Sequence, residues 1–298
     1  LKDAAGNDAN LTLNSVGATT NVLVDAAGPT VTSVSSTFAN GSYKAGVNIF
    51  IVVNFSEAVN VTGTPQLELE TGTTDRTIDF TGGSATTQIT FTYVVQAGDA
   101  STDLDYVANN SLTLNGGTIK DAAGNDATLT LPAPAAANSL GANKAIVIDN
   151  TAPTLTSVTL ASSQTDFADA SHATTGNLIT LAFTASESLG SNPTVGMSIG
   201  GAGVTPTINN LGSNKYSATY TLLGTENEGA VTFTINFTDA AGNAGTQVSA
   251  TTNASSIEAD FIAPTLTTVS IASSQTAAEA FVNATKASNG NTVTIDVT

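Results

Sequence analysis

The sequence predicts an all-β chain of β-sandwich modules in tandem, and three observations carry that prediction. The turn Asp-Ala-Ala-Gly-Asn recurs at residues 3–7, 121–125 and 239–243. A proline-headed phrase recurs as Pro29-Thr-Val-Thr-Ser-Val, Pro153-Thr-Leu-Thr-Ser-Val and Pro264-Thr-Leu-Thr-Thr-Val. Between these marks lie short alternating or β-branched runs broken by Gly, Asn and Pro, and no segment sustains a helical period. Proline suits the first residue of a strand or an edge, so each phrase reads as a module start. The starts lie roughly 110–125 residues apart, the size of one sandwich each. Residues 1–28 then read as the C-terminal part of a module, 29–152 and 153–263 as complete modules, and 264–298 as the N-terminal part of a further one, arranged end to end.

The elements follow in chain order. Val22-Leu-Val-Asp25 reads as the closing strand of the leading partial module. Residues 47–55 are apolar enough for a central strand, and 66–70 alternate. Residues 88–95 place Ile89, Phe91 and Tyr93 on one face at period two. Strands are expected at 111–114, 128–131 and 145–149, and a short turn or 3₁₀ piece at 104–107. In the next module, 178–184 is the central strand. Residues 216–222 set Tyr216, Ala218, Tyr220 and Leu222 on one face, and 231–237 alternate into Asp239. After Pro264, Ile271-Ala-Ser-Ser-Gln-Thr276 echoes Leu160-Ala-Ser-Ser-Gln-Thr165. Tyr93 and Phe233 are expected in cores.

Composition narrows the function classes. The 298 residues are 41% hydrophobic, so sizeable cores can form. There is no Cys, which excludes disulfides and thiolate metal sites. Seven Lys and Arg face 24 Asp and Glu, a net charge of −17 that repels nucleic acid and anionic lipid and attracts calcium wherever carboxylates converge. No apolar run approaches the roughly 18 residues of a membrane span. The first residues lack a basic and apolar export pattern, so any such signal is expected outside this window.

Several of these residues carry a family likeness. Tyr43, Gly46, Phe55-Ser-Glu-Ala-Val59, Thr62-Gly-Thr-Pro-Gln-Leu67, Gly116-Gly-Thr-Ile119 and the turn at Asp121 resemble the bacterial Ig-like repeats of giant surface adhesins. Ser186-Glu187 with the turn at Asp239 resembles a shorter relative. The resemblance implies immunoglobulin-like β-sandwiches on a bacterial surface, extracellular and non-enzymatic, often stiffened by calcium at module junctions.

Three acidic points recur per module. The first is the Asp and Asn of the turn: Asp3 and Asn7, Asp121 and Asn125, Asp239 and Asn243. The second is the Glu after the central strand, Glu57 and Glu187. The third is the Asp before the proline, namely Asp25, Asp149 and Asp260. Calcium takes six to eight hard oxygens, so the expected groupings are Asp25 with Glu57 and Asp121, and Asp149 with Glu187 and Asp239. The plain alternative is that these are solvated acids in turns. No linear Asp-x-Asp-x-Asp-Gly loop is present.

Other features point to little chemistry. Asp99, Asp103 and Asp105 read as a solvated loop. His172 sits in a polar stretch near Asp166 and Asp169, with no Gly-x-Ser-x-Gly elbow to make it the base of a nucleophile. Glu68 and Glu70 lie on one strand face, where a glycosidase pair is formally possible, and Gly200-Gly-Ala-Gly203 lacks the strand-to-helix setting and the Lys of a phosphate loop. The expected partners are neighbouring modules, other copies of the chain, and a surface receptor or glycan. The alternative roles are a self-assembling subunit of a filament, sheath or surface layer, and a carbohydrate-binding module.

Overall fold

The computed structural model describes residues 1–10, 24–165, 171–263, 265, 269–273 and 293–297. Residues 22–23 of the expected closing strand, Asp166 and Asp169, and Pro264 with most of its phrase lie outside the described residues. The chain divides into two compact units. Leu1–Thr154, Ala185–Pro193 and Asn236–Gln247 form one; Leu155–Thr184, Thr194–Ile235 and Val248–Thr298 form the other.

The first unit is built from Val31–Ser36 (β1), Gly41–Tyr43 (β2), Asn48–Thr62 (β3), Gln66–Glu70 (β4), Arg76–Gly82 (β5), Thr86–Val94 (β6), Asp105–Tyr106 (β7), Leu112–Thr113 (β8), Thr118–Lys120 (β9), the single turn Leu140–Asn143 (α1) and Ile146–Ile148 (β10). One curled sheet runs β1-β3-β6-β5-β4-β7, with β8 on β4 and β9 on β3, and β10 pairs in parallel with β2. Alternation in β3 makes this core. Ile49, Ile51 and Val53 stand opposite Tyr93, Phe91 and Ile89 of β6, and all six are buried. Each such side chain stabilises the fold by about 1.5–3 kcal/mol.

The second unit is built on Leu155–Ser162 (β11), His172–Ala173 (β12), Leu178–Ala185 (β13), Thr194–Ile199 (β14), Ala202–Val204 (β15), Thr207–Gly212 (β16), Lys215–Thr221 (β17), Gly229–Asn236 (β18) and Glu258–Ala259 (β19). Its sheets run β11-β13-β17-β16 and β12-β19-β18-β14-β15. With β12 counted as the continuation of β11 and β15 as an added edge strand, that is the immunoglobulin-like division, with first, second, fifth and fourth strands in one sheet and the third, sixth and seventh in the other. In both units the continuation of the first strand runs parallel to the last, β2 beside β10 and β12 beside β19. The chain is therefore all-β, with tandem immunoglobulin-like sandwiches. Val269–Ser273 (β20) and Val293–Val297 (β21) pair antiparallel. No helix among the described residues is long and apolar enough to cross a membrane.

Some local expectations are corrected. Residues 104–107 hold strand β7 rather than a turn, because Tyr106 is buried and its hydroxyl donates to the Pro132 carbonyl. Residues 128–131 form no strand. Thr128 makes a single bridge to Thr30, while Leu131 fills the core from a loop. The three-Asp stretch is not a solvated loop: Asp99 and Asp105 are both buried.

Candidate metal centre

The turn at Asp121 closes on itself. The Asp121 N–H donates to the Asn125 carbonyl at 3.1 Å, and the Asn125 N–H donates to Asp121 Oδ1 at 2.8 Å. Asn125 Nδ2 donates to Asp121 Oδ2 at 2.7 Å and to the Asp25 carbonyl at 3.2 Å. Gly124 supplies the left-handed backbone, at φ +97°, that this closure requires. The turn at Asp239 repeats the pattern: Asn243 N–H to Oδ1 at 2.8 Å, Asn243 Nδ2 to Oδ2 at 2.7 Å, and the same amide to the Asp149 carbonyl at 2.9 Å. Asp3 and Asn7 build the same turn, but there it is exposed.

Each Glu is aimed by a second device. In β3 the register against β6 shifts between Asn54 and Val59, so Glu57 sits in an irregular stretch off the ladder. Ser56 anchors that stretch: its N–H donates to the Thr30 carbonyl at 2.9 Å, and its Oγ accepts from the Thr30 N–H at 3.0 Å. Ser186 and Thr154 repeat the exchange at 2.8 and 3.0 Å, just after β13 ends at Ala185. These four residues were missed at the sequence level. The signal lay in the repeated Ser-Glu and Pro-Thr pairs.

The result is two acidic clusters. Asp25, Glu57 and Asp121 each place a carboxylate oxygen within 4.8 Å of the others, and so do Asp149, Glu187 and Asp239. Asp121 and Asp239 are buried, while Asp25 is exposed. Burial, then the charges of Asp25 and Asp121, push the Glu57 carboxyl up; burial, then Asp149 and Asp239, do the same to Glu187. Burial also pushes Asp121 up, but the hydrogen bonds from Asn125 and the turn amides outweigh it and leave it lowered. The ion pairs among the described residues join Lys2 to Asp8, Arg76 to Asp99 and Lys120 to Asp126, so none involves a clustered carboxylate. Lys44 Nζ instead donates to the Gly242 carbonyl of the second turn.

The donors are hard oxygens with no imidazole or thiolate, which suits calcium rather than zinc or copper. Each carboxylate has about four lone-pair directions, so the hydrogen bonds to Asp121 and Asp239 leave room for a cation. Asn125 and Asn243 use their amide nitrogens to brace the Asp carboxylates. Asp260 accepts the Ile262 N–H at 3.1 Å and belongs to neither cluster.

No family model matches the chain, and no curated protein matches it. Among solved structures, the titin Ig tandem A164–A165 is similar at 8% identity, covering 79% of this chain and 97% of that one, with a TM-score of 0.25. An ICAM-5 D1–D4 ectodomain fragment shows 13% identity over 81% of this chain and 56% of its own, TM-score 0.29. A Corynebacterium diphtheriae protein described as membrane anchored shows 12% identity over 80% and 56%, TM-score 0.25. The fold assignment rests on the strand order given above, not on these likenesses.

Proposed function

We propose that this chain is a non-enzymatic structural and adhesive segment of an extracellular bacterial surface protein, stiffened by calcium at its two acidic clusters. The observation that supports this reading is the duplicated scaffold. The same Asx turn, the same Ser–Thr exchange and the same pre-proline Asp assemble three carboxylates twice over. Three carboxylates that close repel one another, and a divalent cation removes that repulsion. Asp25, Glu57 and Asp121 would hold one ion; Asp149, Glu187 and Asp239 the other. Calcium supplies charge and directional oxygen bonding there, and the protein's part is to fix the pre-proline segment against the turn and the Glu loop.

Calorimetric titration with calcium, and melting in millimolar calcium against chelator, test the proposal. Extracellular calcium modules bind with dissociation constants of about 10⁻⁴–10⁻³ M. At ten times that concentration one site stabilises the folded state by about 1.4 kcal/mol. Asp149→Ala should abolish one of two binding events and leave the sandwiches folded. No calcium heat and no melting shift would remove the metal from this reading.

A further inference from the structure

We propose that Asn150 is the positioning residue of the second acidic cluster, and that its amide fixes the Asp149 segment before any ion binds. The proposal deepens the calcium reading and rests on it for its metal arm. Asn150 commits its whole side chain. Oδ1 accepts the Ala45 N–H at 2.6 Å, while Nδ2 donates to the carbonyls of Gln96 at 3.1 Å and Asp99 at 2.7 Å. Those partners belong to two chain segments, the turn after β2 and the loop after β6.

The second of these segments is itself anchored. The Asp99 carboxylate is buried and held by Arg76, by the Tyr93 hydroxyl and by the Gln96 N–H. Asn150 therefore ties its segment to a fixed polar point rather than to a loose loop. Its neighbour Asp149 is held on both sides. The Asp149 N–H donates to the Tyr43 carbonyl at 2.9 Å, and Asp149 Oδ1 accepts the Thr151 N–H at 2.9 Å. The Asp149 carbonyl then receives the Asn243 amide, which links the segment to the Asp239 turn.

Only an amide fits these partners. Aspartate would accept from Ala45 but would set a charged oxygen against two carbonyls, and alanine would lose all three bonds. Groups that orient metal ligands from behind typically change metal affinity 10–100-fold when removed. An Asp149 already ordered by folding does not have to be ordered by the ion.

The test uses the full chain in an Asp25→Ala background, so that only the second cluster titrates. Asn150→Ala and Asn150→Asp are compared with the parent by calcium titration and by amide hydrogen exchange at residues 149–151 in chelator. The expected result is calcium affinity lowered 10–100-fold and faster exchange in both variants, with Asn150→Asp no better than Asn150→Ala. Unchanged affinity overturns the positioning role, whether or not exchange changes. Unchanged exchange in chelator overturns it as well. A parent that binds no calcium fails the metal reading alone, because the exchange measurement in chelator tests the clamp without an ion.

Discussion

Arg76 sets its Nε 2.8 Å and its Nη2 2.7 Å from one oxygen of Asp99, a carboxylate whose side chain is 1% exposed. The other oxygen accepts the Tyr93 hydroxyl at 2.7 Å and the Gln96 N–H at 2.9 Å. Burial pushes the Asp99 carboxyl up, but the bonds from Arg76, Tyr93 and Gln96 together outweigh it and hold it below the ordinary carboxylate range. Arg76 is 32% exposed and can turn to water, but removing Asp99 leaves the buried Tyr93 hydroxyl without its acceptor, at a cost of about 1–3 kcal/mol. Asp99→Ala should therefore destabilise the first unit by about that much in chemical denaturation. Tyr93→Phe, which deletes one bond to a charged acceptor, should cost about 1.5–3 kcal/mol.

The same carboxylate sets an acid response. Its folded pKa is depressed, so its contribution is fully present above the unfolded value and is lost as pH falls through the folded one. Asp99→Asn should flatten the loss of stability below the ordinary carboxylate range. Profiles that stay parallel as pH falls through and below that range would show that the Asp99 carboxylate is not held below its ordinary pKa.

Register in the sandwiches is tested by a pair of truncations. Phe233 of β18 is 7% exposed, whereas Phe50 of β3 points out of the sheet at 40%. Phe233→Ala should cost about 3–5 kcal/mol and Phe50→Ala far less. Similar losses for the two would mean that one strand is a residue out of register, since a single slip exchanges the faces.

A close approach of backbone to backbone supports the second turn. A Cβ at Gly190 would lie 2.4 Å from the Asp239 carbonyl oxygen and 3.2 Å from Ala240 Cα. Gly190→Ala must push the turn away, and overpacking of this kind costs about 1–3 kcal/mol. The expected outcome is a lower melting temperature together with a weaker calcium response. An alanine variant that melts and titrates like the parent would show that the turn yields without cost.

How much of this was legible in the sequence differs from element to element. Strands with clean period-two alternation, β6 and β18, stood out because one buried face writes itself directly into residue order, and β3 stood out as a continuous apolar run. The repeated turn was equally plain, since Asp, Gly and Asn each have a local backbone role in it. The cluster members lined up because they occupy matching module positions, and they do lie together. What stayed hidden was whatever depends on distant partners. Asp99 looked solvated because its neighbours in sequence are acidic and polar, whereas its partner Arg76 lies on β5, which has no strong apolar alternation to announce it. Asn150 had no local mark at all. Its partners are about a hundred residues away at Ala45 and some fifty away at Gln96 and Asp99, joined only by the fold. Residues 128–131 misled for the opposite reason: two leucines at period two pack inward from a loop, without a strand to carry them.

Glu187 should reverse its effect on stability with calcium. Its carboxyl is pushed up by burial and by the charges of Asp149 and Asp239, so in chelator its ionised form opposes folding. For an acid whose folded pKa is raised, the penalty is fully present above that pKa and is relieved as pH falls through it. Glu187→Gln should therefore raise the melting temperature in chelator at neutral pH and lower it in saturating calcium, where a ligand has been lost. Calcium and protons compete for the same oxygens, so the melting shift produced by calcium in the parent should shrink as pH falls toward the carboxylate range. Thermal melts of parent and variant, with calcium and with chelator, at neutral pH and in that range, measure both effects. If Glu187→Gln is destabilising in chelator as well, repulsion among the three carboxylates does not oppose folding, and the calcium-dependent reversal is lost.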